Sequence, residues 1–128
     1  MQDKPTITFP SGATFKLELA IDDETRARGY MYREHVGPDE GMLFFFEQPG
    51  IYPFWMKNCK VNLDIIWLDS EFRVVEIADD VPPCDPDGEC NNVVPMRSAS
   101  YVLEVAGGVS RSHGLAPGDR LTAKLDSK

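Results

Sequence analysis

The stretch Leu63-Asp64-Ile65-Ile66-Trp67-Leu68-Asp69-Ser70-Glu71-Phe72-Arg73-Val74-Val75-Glu76-Ile77-Ala78 decides the fold class. Leu63–Leu68 and Arg73–Ala78 are short apolar runs rich in β-branched and aromatic residues, with the turn signal Asp69-Ser70-Glu71 between them. Working outward, the same pattern predicts strands at Thr6–Phe9, Thr14–Ile21, Met42–Phe46, Tyr52–Lys57, Tyr101–Val105 and Asp119–Leu125. Turn signals at Pro10-Ser11-Gly12, Pro49-Gly50 and Pro117-Gly118 punctuate them. Many short strands between Pro, Gly and Asx residues predict a mainly-β domain, either a sandwich or a small barrel.

Two segments depart from the strand pattern. Asp22 offers a cap, Asp23 and Glu24 place acids in a first turn, and Gly29 stops the run, which predicts a helix of about two turns after the second strand. Gly107 to His113, closed by Gly114, predicts one loose helical turn. Asp79 to Pro95 holds four prolines together with Cys84 and Cys90. That is long for a plain connector, so it reads as functional or stapled. Pro86-Asp87-Gly88 favours a tight turn that brings the two thiols near one another, so Cys84 and Cys90 are disulfide candidates; the alternative is two unpaired thiols in a surface loop. Cys59 lies in an apolar stretch that suits an inert buried thiol.

The chain has 128 residues and a mass of 14.3 kDa, which suits a single domain over residues 1–128. Thirteen basic against 21 acidic residues leave a net charge of -8, which disfavours nucleic acid and anionic membranes as partners. The longest purely apolar run, Met42 to Phe46, is far short of the roughly 20 residues that cross a bilayer, so no transmembrane segment is expected. The polar start Met1-Gln2-Asp3-Lys4 carries no signal peptide. A cysteine bridge would nevertheless place the chain in an oxidising compartment.

From Arg26 to Lys57 the sequence becomes recognisable. Arg26-Ala27-Arg28-Gly29-Tyr30-Met31-Tyr32-Arg33, Gly41-Met42-Leu43-Phe44-Phe45-Phe46 and Phe54-Trp55-Met56-Lys57-Asn58 resemble the prokaryotic family known as domain of unknown function 192. The likeness continues through Leu63 to Asp69, Tyr101 to Val105 and Gly114 to Asp119, with Tyr30 where Leu is common and Cys59 where Thr is common. The resemblance implies a mainly-β, jelly-roll-like domain, often exported, and supplies no catalytic residues.

Asp64 is the position with most chemical content. An aspartate among apolar residues in a strand needs a cation or several hydrogen-bond donors. Lys57, Asn58, Arg26, Arg33 and Arg97 are the candidate partners, and a buried ion pair that fixes strand register is the structural reading. Glu104, inside Tyr101-Val102-Leu103-Glu104-Val105, repeats the pattern. Two such acids on neighbouring strands would form an acid/base pair of the glycosidase kind only if the fold brought them together. Trp55, beside Lys57 and Asn58, is either a core residue or an exposed platform for stacking a sugar.

Met31, Met42, Met56 and Met96 sit in or beside apolar segments as gap-fillers, and His35 and His113 fall in no zinc-binding spacing, so no metal or cofactor is expected. The same holds for a Gly-x-Ser-x-Gly elbow and for a phosphate-cradling loop. The expectation is a non-catalytic, extracytoplasmic binding or accessory domain for a polar small molecule, a sugar or a carboxylate. Its site is assembled from Arg26, Arg33, Trp55, Lys57, Asn58, Asp64 and Glu104. One alternative is a hydrolase using Asp64 and Glu104; the other is a structural domain with an internal ion-pair network.

Overall fold

A computed structural model describes residues 4–85 and 87–125; the polar start Met1 to Asp3 and Pro86 of the expected loop turn lie outside them. The elements are β1 (Thr6–Thr8), β2 (Thr14–Ala20), α1 (Asp23–Arg28), β3 (Glu40–Gly50), β4 (Leu63–Leu68), β5 (Val74–Val81), β6 (Ala99–Ala106), α2 (Val109–Ser112) and β7 (Thr122–Lys124).

The seven strands form one mainly antiparallel sheet in the order β5-β4-β6-β3-β2-β1-β7. Only β2 and β3 run parallel, and α1 lies in the crossover that such a pair requires. The sheet curls into a half-barrel. Arg73 bridges Arg120, Val74 donates its N–H to the Asp119 carbonyl at 2.7 Å, and Leu121 donates to Phe72 at 2.9 Å. These bonds draw the start of β5 against the chain entering β7, so the two sheet ends meet there.

Side-chain alternation then splits the core in two. Leu17, Leu43, Ile66, Leu103 and Val105 face the inside of the curl with Phe9 and Phe15. Met42, Phe44, Ile65, Trp67 and Val102 face the other way and are roofed by Tyr30, Val36 and Met56 from the irregular segments. Every residue of β4 is therefore buried, which is why Leu63–Leu68 reads as an almost continuous apolar run.

The mainly-β expectation holds, and of its two forms the strands take the barrel-like one, a single hydrogen-bonded sheet. One expectation needs correction. Tyr52–Lys57 is no strand: Phe54 makes an isolated bridge to Val93, and Pro53 beside it has no N–H with which to extend a ladder. The helix forms where expected, with the Thr25 N–H donating to the Asp22 carboxylate at 2.8 Å and Gly29 leaving it at φ 47°. The loose turn becomes α2. Cys84 and Cys90 are joined by a disulfide, their Cα atoms 5.2 Å apart.

Candidate functional site

Asp64 and Glu104 are neighbours in the sheet and strangers in space. In the β4–β6 register Asp64 stands opposite Val105, and Ile65 stands opposite Glu104, so the two carboxyl groups leave opposite faces. The acid/base pair required for the hydrolase reading is therefore not assembled.

Asp64 is fully buried, and it is donors rather than a cation that satisfy it. Its Oδ1 accepts the N–H groups of Asp80 at 2.7 Å and Gly108 at 2.9 Å. Its Oδ2 accepts the Ser110 N–H at 2.7 Å and the Ser110 hydroxyl at 2.6 Å. None of the basic residues proposed from sequence reaches it. This carboxylate ties β4 to the end of β5 and to α2.

Glu104 has the opposite environment. It is 3% exposed, and among the described residues nothing donates to it or pairs with it. Among the described residues no fully buried side-chain oxygen is left without a partner, so the Glu104 oxygens are not sealed; they open into the cleft that Glu104 lines. Burial pushes its carboxyl up from 4.5 to about 8, so it holds its proton at neutral pH.

The cleft encloses about 310 Å³ between the end of α1 and the segment from Tyr52 to Trp55. Phe44 and Glu104 supply the sheet side, and Gly29 closes one wall. A Cβ at Gly29 would stand 3.3 Å from the Phe44 ring and 3.7 Å from a Glu104 oxygen, and the positive φ already favours glycine. Tyr30 is buried, and desolvation drives its hydroxyl far above the ordinary phenol value. Cys59 also lines the cleft, with its thiol raised by burial to about 11, which leaves it protonated and unreactive.

The basic residues have different fates. Arg26 donates to the Phe45 carbonyl at 2.8 Å and to Asp23 at 3.0 Å, and it lies over the Phe46 ring at 5.8 Å. Its donors are engaged inside the protein, and Asp23, the other acid at the cleft, is their partner. Arg28, which the sequence reading passed over, lines the cleft with no hydrogen bond or ion pair to any described residue. Arg33 is elsewhere, in a bidentate pair with Glu18 at 2.7 Å for both bonds, and this contact holds the Glu18 carboxyl below its usual range. Trp55 is 42% exposed on the cleft wall, under the Lys57 ammonium at 5.1 Å. Lys57 and Asn58 are exposed and do not line the cleft; the Asn58 carbonyl accepts the Tyr32 N–H at 2.7 Å.

Of the seven residues expected to form one site, Arg26, Trp55 and Glu104 share the cleft, Lys57 touches it through Trp55, and Arg33, Asn58 and Asp64 stand apart. Among the residues missed, Gly29 carried the clearest signal, as the stop after a short helix; Arg28 and Tyr52 carried none.

A half-barrel with an aromatic-walled cleft and a buried acid at its base defines the class, a small mainly-β domain. The chain belongs to the DUF192 family, described as "Uncharacterized ACR", whose model matches residues 6–123. It is similar to a protein of unknown function from Novosphingobium aromaticivorans, with 34% identity over 92% of this chain and 82% of the other, and a TM-score of 0.82. It is also similar to a "putative transcription regulator" from Sinorhizobium meliloti, with 31% identity over 96% of this chain and 94% of the other, and a TM-score of 0.82. No curated protein matches the chain.

Proposed function

We propose that this chain is a non-catalytic, extracytoplasmic binding or accessory domain whose cleft takes a polar small molecule, a carboxylate or a sugar. The observation that carries this reading is Glu104, a buried carboxyl with no partner among the described residues that opens into an aromatic cleft. A polar group left unpaired in an apolar setting costs about 1–3 kcal/mol, and a ligand that bonds to it recovers that loss. The free guanidinium of Arg28 suits a carboxylate, and the half-exposed Trp55 ring suits the apolar face of a sugar. The Cys84–Cys90 bond supports an oxidising compartment.

The test is a thermal-shift panel of sugars and carboxylates on the wild-type protein and on Trp55→Ala. A ligand at 100 times its Kd stabilises the fold by about 2.7 kcal/mol, and Trp55→Ala should weaken that response. A panel that leaves the wild-type melting temperature unmoved overturns the reading.

A further inference from the structure

We infer that the ligand of this cleft is an amino-acid-like zwitterion, with its ammonium group on Glu104 and its carboxylate on Arg28. The inference rests on the binding reading above and names the ligand class for that same cleft.

Three features converge on it. Glu104 has no partner among the described residues, and once ionised it only accepts, so a group that brings both hydrogens and positive charge completes it. The cleft is also lined by Phe44, Phe46, Tyr52, Phe54 and Trp55, an aromatic setting that favours cations. The protein already uses that attraction at this place, with Arg26 over Phe46 at 5.8 Å and Lys57 over Trp55 at 5.1 Å.

Arg28 supplies the second half. Arg26 is paired with Asp23 at 3.0 Å, whereas Arg28 makes no salt bridge to a described residue, and Glu18 and Asp22 feel its charge only from a distance. A simple amine in the cleft would feel that unpaired positive charge. A simple carboxylate bound at Arg28 would bring no positive charge to Glu104. A molecule with both ends satisfies both residues, and about 310 Å³ is room for one small molecule of this kind.

Binding should be linked to protons. The titratable and charged groups around Glu104 are Tyr30, Tyr52, Cys59, Arg26, Arg28 and Asp23, of which Tyr30 and Cys59 are held neutral by burial. Glu104 is then the group that changes charge across neutral pH. Its carboxyl titrates at about 8 in the empty protein, and an ammonium partner favours the ionised form. Ammonium binding near pH 7 therefore expels the Glu104 proton.

The experiment is isothermal titration of the intact chain with ω-amino acids from glycine to 6-aminohexanoate, alongside hexylamine and hexanoate. One chain length should bind best and exceed both single-ended probes by at least tenfold. Between pH 6 and 8 its affinity should rise about tenfold per pH unit, with proton release read from two buffers of different ionisation enthalpy. Glu104→Gln should abolish the pH dependence, whereas Arg28→Ala should weaken the zwitterion to the level of hexylamine and keep the pH slope. Hexanoate or a sugar binding as tightly as any amino acid, with Glu104→Gln unaffected, would overturn the zwitterion and leave the binding reading standing. Silence from every amino acid, amine, carboxylate and sugar would overturn both.

Discussion

Glu104 makes the fold weaker than it would be with glutamine in the same place. The unfolded chain releases this proton near 4.5, whereas the folded chain keeps it to about 8. The folded state thus binds the extra proton between those values, and its stability falls as pH rises through the window, by about 1.4 kcal/mol per pH unit. Glu104→Gln lacks that loss, so its stability relative to wild type should grow from near pH 5 and level off above pH 8. Urea unfolding at four pH values measures it, and a pH-independent difference would mean that Glu104 ionises normally inside the protein. At Asp64 the amide variant should destabilise the fold instead. Asp64→Asn turns one of two accepting oxygens into a donor facing N–H and O–H groups, which should cost about 3 kcal/mol. Sequence alone made these acids look alike, since each sits among apolar neighbours in a strand. Strand register separates them: it turns one toward a nest of backbone amides and the other toward a cleft, and nothing local to either residue encodes register.

At the level of elements, the cleft is built where regular structure stops. Strand and helix positions were legible because hydrophobic alternation, an Asx cap and a stop glycine act over a few residues: β4, α1 and the Cys84–Cys90 staple lie where those signals put them. The segment from Tyr52 to Lys57 reads as a strand in the sequence because its aromatics alternate as a strand's would. They alternate for another reason: Met56 packs into the outer core while Trp55 faces out along the cleft. What holds this segment down is the loop it touches, through the Phe54–Val93 bridge and the Cys84 N–H to the Met56 carbonyl at 3.4 Å. Replacing both Cys84 and Cys90 by Ser should therefore act twice. It should remove about 2 kcal/mol of stability in the loop-closure view. It should also loosen the Phe54–Trp55 wall, weakening ligand binding at temperatures where the fold is still intact. Thermal unfolding and titration of the same variant measure the two effects, and unchanged affinity would show that the wall does not depend on the staple.

For the whole molecule, charge and oxidation state bear on what the chain can meet. A net charge of -8 repels phosphate backbones, and among the described residues Arg28 stands out at the cleft as a single free cation rather than part of a basic stripe. Neutralising phosphates takes several Lys or Arg contacts, so duplex DNA should fail to shift in a gel even at low salt, whatever the description given to the Sinorhizobium relative. Compartment can be read from thiols. The chain has three cysteines, of which Cys84 and Cys90 are bonded and Cys59 is free. Protein recovered from its native host with thiols trapped at lysis and then denatured should yield one reactive thiol if it resides in an oxidising compartment, and three after a reductant is added. The denaturing step matters, because Cys59 is half-buried with its thiol raised to about 11, and the folded protein would hide it from the reagent. Three thiols without reductant would mean that the chain lives reduced, in a compartment where the loop between two cysteines six positions apart stays open. The export proposal would then fail, while the cleft, whose acid and aromatic walls owe nothing to compartment, would keep its chemistry.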